Sequence, residues 1–191
     1  MTELLRPFER ISLPVEPDVW EMFDGFLRDH HMVPKNILSV GDDGDGTLPA
    51  LMKASYPDSR IHVIDRNKTI IARLDEDNTK RKWSLFHGDI TDSGTQAVFS
   101  HLLPDGFDVV FFKHDMHMNG WTEQEEIVAS LFRVCRIDGA VGWSIPTLTR
   151  GIVVKNQSDF VDRVTIKGLF GSTVFAGKNT SRRFHLAETT V

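Results

Sequence analysis

The sequence predicts an α/β fold: a mostly parallel sheet with helices on both faces. The apolar runs at 37–40, 61–64 and 107–112 are too continuous for strands with one wet face. The segments between them carry apolar residues at helical spacing. This strand–helix order recurs from residue 36 to residue 145, with no linker, repeat or low-complexity tract.

Taken in order, residues 17–31 read as a helix with Val19, Phe23, Phe26 and Leu27 on one side. The first strand is 37–40. A helix over 47–53 carries Leu48, Leu51 and Met52, with Pro49 tolerated in its first turn. The second strand is 61–64, and Asn67 is placed to cap a helix bearing Ile70, Ile71 and Leu74. The third strand is 84–87, followed by a weaker helix around 97–103 and the fourth strand at 107–112. Thr122-Glu-Gln-Glu125 fits a capping box. The helix behind it has Ile127, Val128, Leu131, Phe132 and Cys135 on its apolar stripe. The fifth strand is 140–145. A helix is expected at 158–164, and the strands 172–176 and 183–187, joined by the turn-rich 177–182, read as an antiparallel hairpin at the sheet edge. One domain is expected over 1–191, a helical cap over 1–35 and a core over 36–191.

At 191 residues the chain can bury roughly 70% of its unfolded surface. Its composition, 40% hydrophobic and 26% charged, is that of a soluble globular protein. No apolar run approaches the ~20 residues of a membrane span, and the first residues lack the apolar core of a signal peptide. No membrane partner and a cytoplasmic location are therefore expected. The single cysteine, Cys135, excludes an internal disulfide and reads as a buried structural thiol. A net charge of −5 disfavours nucleic acid as the main partner, because phosphate binding needs a positive footprint. The clusters Lys80-Arg81-Lys82 and Arg182-Arg183 read as solvated edges.

The segment 36–67 holds the strongest functional signal. The first strand turns through Gly41-Asp42-Asp43-Gly44-Asp45-Gly46 into a helix, and the second strand ends in Asp65. A glycine turn lets bare backbone approach a ligand, and an acid ending the next strand can accept both hydroxyls of a ribose. Together they imply an adenosine-containing cofactor. Dinucleotide sites set their pyrophosphate on such a turn, but this one carries three carboxylates in six residues. A carboxylate beside a phosphate costs on the order of several kcal/mol at an effective dielectric near 20. The charge favours a cationic ligand over a diphosphate. A solvated turn of helix-capping aspartates is the competing reading of the loop.

On these residues the chain resembles the class I S-adenosylmethionine-dependent methyltransferases, over roughly 36–190. The resemblance implies a Rossmann-like domain with a seven-stranded sheet ending in the reversed hairpin, and S-adenosylmethionine as cofactor. It implies that Gly41, Asp42, Gly44 and Gly46 lie under the methionine half and that Asp65 holds the ribose, with Arg66 beside the adenine. Gly88-Asp89-Ile90 resembles the family's adenine-reading element, with Asp89 accepting from the exocyclic amine. Lys113, ending the fourth strand, would offer its backbone to the methionine part. Two departures stand out: Ser39 occupies the place where the family commonly has an acid, and the compact G-x-G-x-G is stretched by one residue.

The fourth strand runs into Lys113-His-Asp-Met-His-Met118. His114 and His117 are three apart and can share one side of a helical turn. Either suits a general base or substrate anchor, because histidine titrates near pH ~6.5; capping the strand end or lining the core is the plainer alternative. With Asp115 and His30-His31 they form no recognisable ligand set, so no metal is expected. Phe112, Trp121 and Trp143 fall near element ends and could wall a small apolar or aromatic substrate, although ordinary core packing is the favoured reading of each. The helix at 17–31 is a candidate lid. The leading function is methyl transfer to a small-molecule O or N nucleophile. The alternatives are a protein of this fold that binds the cofactor without methyl transfer, and a nicotinamide-dependent reductase using the same Asp65.

Overall fold

In a computed structural model, which describes residues 16–42, 44–76, 78–113, 121–146, 165–169 and 172–179, strand β1 (Asn36–Val40) lies between β2 (Arg60–Asp65) and β4 (Phe107–Lys113), parallel to both. β3 (Ser84–His87) extends the sheet beyond β2, and β5 (Cys135–Pro146) extends it beyond β4, again in parallel. These five strands carry the expected apolar runs, and β4 is buried from Phe107 to Phe112 because both of its faces are covered. Two further strands, β6 (Thr165–Leu169) and β7 (Ser172–Lys178), complete the order β3-β2-β1-β4-β5-β7-β6 among the described residues. β7 runs antiparallel to both β5 and β6.

The tail differs from the sequence reading. The strand expected at 172–176 is β7, and it pairs with Thr165–Leu169; the partner expected at 183–187 lies outside the described residues, as does the helix expected at 158–164. Cys135 also changes place. It was read as the last position of a helical stripe, whereas it opens β5, fully buried, directly after the helix. Burial pushes its thiol pKa up, consistent with an inert core group.

Helices α1 (Glu16–Asp29), α2 (Thr47–Ser55) and α3 (Lys68–Glu76) cover one face. Helices α5 (Ser93–Leu102) and α6 (Trp121–Val134) cover the other. A short α4 (Asn78–Arg81) follows α3. α1 packs Phe23 against Phe111, ring centroids 4.9 Å apart, and buries Leu27 completely. Each such side chain contributes about 1.5–3 kcal/mol through removal from water. Polar latches fix its position: Trp20 Nε1 donates to Ser55 Oγ (2.9 Å) and the Tyr56 hydroxyl donates to Asp24 (2.8 Å). α1 is thus a third layer element on the α2 side.

Far from the carboxyl ends of the strands, two polar side chains hold the sheet's other end. Asp108 accepts from the amides of Lys35 and Asn36 (2.8 and 2.7 Å) and pairs with Arg136 (2.9 Å). Asn179, just after β7, donates to the carbonyls of Phe132, Cys135 and Arg136 where α6 passes into β5. That junction has no connecting loop, and a buried amide satisfies the carbonyls left by the helix end.

Candidate functional site

The chain order reverses direction between β1 and β4, and a cleft opens there at the carboxyl ends of the strands, as it does in open α/β sheets generally. Val40, Ile64, Phe112 and Ile127 form its apolar wall, and Gly41, Asp65, Arg66, Asp89 and Ile90 line the rest with Gly88. The apolar part follows from strand periodicity: the last inward positions of β1, β2 and β4 all end at the same level. Ile127 reaches the cleft from the apolar stripe of α6.

Asp65 is 9% exposed and joins two turns. Its Oδ2 accepts from the Asp42 amide (3.0 Å) and its Oδ1 from the Asn67 amide (2.6 Å). A carboxylate offers about four lone-pair positions, so two remain for a ligand. Two such acceptors on one rigid group suit a vicinal diol. Asn67 does cap α3, its Oδ1 accepting from Thr69 (3.0 Å). Asp89 accepts at Oδ1 from the amide and hydroxyl of Thr91 (2.9 and 2.8 Å), which leaves Oδ2 without a hydrogen bond among the described residues. The cleft therefore presents two fixed carboxylates over an apolar wall, an acceptor set that fits a purine nucleoside and opposes a diphosphate.

The glycine loop departs from the sequence reading. Its carboxylates were credited with facing the ligand, but no loop carboxylate among the described residues lines the cleft. Asp42 is buried, 5% exposed, and its Oδ1 accepts from the amides of Gly44 (2.7 Å) and Gly46 (3.2 Å). Asp45 is exposed and accepts from the Thr47 amide (2.9 Å); Asp43 lies outside the described residues. Short acidic side chains satisfy nearby amides in this way wherever a turn leaves donors unpaired. Gly44 and Gly46 sit at φ 88° and 68°, in the left-handed region that favours glycine. At Gly46 a Cβ would also lie 2.9 Å from the Trp83 ring. Arg81 stacks 4.8 Å over that ring, so the outer rim of the loop carries a cation. The charged residues that line the cleft are Asp65, Arg66 and Asp89.

Gly44, Gly46 and Asp42 do not line the cleft; they belong to the turn that follows Gly41. Lys113 ends β4 beside Phe112, half-buried. His114 and His117 lie outside the described residues, as does the side chain of Trp121. Trp143 does not face the cleft: it is fully buried against Phe132 of α6, centroids 6.3 Å apart. No described residue of α1 lines the cleft. Ser39 is fully buried, and its hydroxyl has no hydrogen-bond partner among the described residues. Among those residues no group of three or more His, Cys, Asp or Glu is placed to hold a metal.

No protein-family model matches the chain, and no curated protein sequence matches it significantly. Solved structures do match. Precorrin-6y C5,15-methyltransferase from Geobacter metallireducens is 18% identical with a TM-score of 0.63, over 88% of this chain and 91% of that one. An rRNA methylase from Streptococcus thermophilus is 11% identical with a TM-score of 0.59, over 91% and 98%. PigF, solved with S-adenosylhomocysteine (SAH), is 16% identical with a TM-score of 0.58, over 85% of this chain; this chain spans only 56% of PigF. The chain is a single α/β domain with the class I S-adenosylmethionine-dependent methyltransferase fold. These neighbours act on substrates as unlike as a precorrin and an rRNA, so the fold leaves the substrate open.

Proposed function

We propose that the cleft binds S-adenosylmethionine and that the protein transfers the methyl group to an oxygen or nitrogen of a small molecule. The observation that carries this reading is Asp65, a buried carboxylate fixed by two amides at the end of β2 with acceptor capacity left toward the cleft. Asp65 would take the ribose hydroxyls. Asp89 would accept from the adenine amine, with Ile90 and Arg66 alongside the ring. The backbone of Gly41 and Lys113 would face the methionine half, supported by Asp42, Gly44 and Gly46. When bound, the cofactor supplies an electrophilic methyl group. The chain's part is to orient the acceptor and take its proton, and positioning alone can supply several kcal/mol. We assign that proton transfer, or the anchoring of the substrate, to His114 or His117. A cytoplasmic location belongs to the same reading; no described helix is long and apolar enough to cross a membrane.

Calorimetry with SAH set against NAD tests the cofactor: binding of the first and not the second is expected, and the reverse order would make the protein a nicotinamide enzyme. His114→Ala and His117→Ala, assayed singly, are expected to lower turnover by about 10²–10⁴-fold in whichever is the base, with SAH affinity retained. Full activity in both would place the base elsewhere. Ser39, whose buried hydroxyl has no hydrogen-bond partner among the described residues and which stands where the family commonly has an acid, and the lengthened loop favour one second reading, a protein that binds the cofactor without transferring its methyl group. SAH binding with no turnover on any nucleophile would support it.

A further inference from the structure

We infer that Asp42 sets ligand specificity at the turn beside this cleft: its carboxylate fills, from within the chain, the amide concavity that a phosphate would otherwise occupy. The inference rests on the adenosine-cofactor reading above and goes beyond it. Successive amides in a turn through left-handed residues make an anion-binding concavity. Here the turn through Gly44 and Gly46 aims two amides inward, and Asp42 Oδ1 takes both, at 2.7 and 3.2 Å. The next amide, that of Thr47 at the start of α2, is taken by Asp45. A diphosphate arriving at this turn meets occupied donors and a buried negative charge. A nucleoside that needs only Asp65 and Asp89 is undisturbed.

The same carboxylate has a positioning role. The bonds that fold the turn around Asp42 also present its own amide to Asp65 Oδ2, while the Gly41 amide donates to Ile64 O (2.9 Å) and holds the turn's first residue on β2. Loss of the Asp42 side chain frees the turn and removes one constraint on the ribose-facing carboxylate. One side chain thus sets both what the turn refuses and how firmly Asp65 is held.

The test compares Asp42→Ala, which removes charge and acceptor, with Asp42→Asn, which keeps an acceptor oxygen and removes only the charge. Adenosine, SAH and ADP are titrated calorimetrically into each, and amide hydrogen exchange at Gly44 and Gly46 is followed by NMR without ligand. In Asp42→Ala the ADP-to-adenosine affinity ratio should rise by at least about tenfold, the scale of one charge-assisted hydrogen bond, and both glycine amides should lose protection. In Asp42→Asn the amides should stay protected and the ratio should rise less. An unchanged ratio in Asp42→Ala overturns the specificity role, and unprotected amides in the unmodified protein overturn the occupied concavity. If the unmodified protein binds neither adenosine nor SAH, the cofactor reading fails, and glycine-amide protection lost in Asp42→Ala still upholds the occupied concavity.

Discussion

Replacing Asp65 by alanine is expected to weaken SAH binding by about 1–3 kcal/mol, the range for hydrogen bonds to a charged group. At the upper end that is about 150-fold in affinity. The loss should depend on the ligand's hydroxyls. Adenosine should follow SAH, whereas 2′,3′-dideoxyadenosine should bind the variant and the unmodified protein alike. A second effect accompanies the first. The carboxylate also accepts from the amides of Asp42 and Asn67, so its removal leaves two donors unpaired between the turns after β1 and β2. Leaving a buried donor unsatisfied costs about 1–3 kcal/mol, and the variant should unfold at lower urea. Asp65→Asn keeps an acceptor oxygen and should recover part of the stability but less of the affinity. Equal affinity of the unmodified protein for adenosine and its dideoxy analogue would refute the assignment to the ribose.

The parts of the molecule visible in the sequence are those written in local pattern. Strands β1, β2 and β4 are buried on both faces, so they read as unbroken apolar runs; Asp65 ends β2 and Asp89 follows β3, so their shared level in the cleft followed from chain order. The turn at 41–46 was equally visible as a turn. What pattern does not encode is the direction of a side chain within it. Charge counting treated Asp42 as a group facing a ligand, whereas two amides within four residues of it satisfied the carboxylate first. Contacts of long sequence separation were likewise silent: Asn179 reaches back to close the α6–β5 junction, and Asp108 bonds the amides that lead into β1. β6 escaped because Thr165–Leu169 includes Lys167 and Gly168, which dilute the β-branched and apolar pattern of a strand. Period-two alternation also fails to say what fills an inward position, and at His62 the occupant is not apolar.

His62 makes the stability of this protein fall with pH in a window set by one buried ring, and His62→Leu is expected to remove that dependence. The imidazole lies inside β2, 4% exposed, 5.2 Å from the Phe107 ring and 6.2 Å from that of Phe86. Neither ring nitrogen has a hydrogen-bond partner among the described residues. Desolvation first, and then the Arg60 charge, push its pKa from 6.5 down to about 4. The folded pKa is therefore the lower one. Between pH 6.5 and 4 the unfolded chain holds a proton that the native chain does not, so stability is full above about 6.5 and declines as the pH falls. The whole displacement corresponds to about 3 kcal/mol, of which about 2 kcal/mol is already lost at pH 5. Leucine at this position keeps an apolar side chain among the two phenylalanines and carries no unpaired N–H. The variant should be the more stable form at pH 7, since an unsatisfied buried polar group costs about 1–3 kcal/mol. Its advantage should widen by about 2 kcal/mol at pH 5. Urea unfolding at the two pH values measures both, and taking the difference between variant and unmodified protein cancels the titration of every other group. Parallel pH profiles for the two proteins would show that His62 is already paired or solvated in the native state.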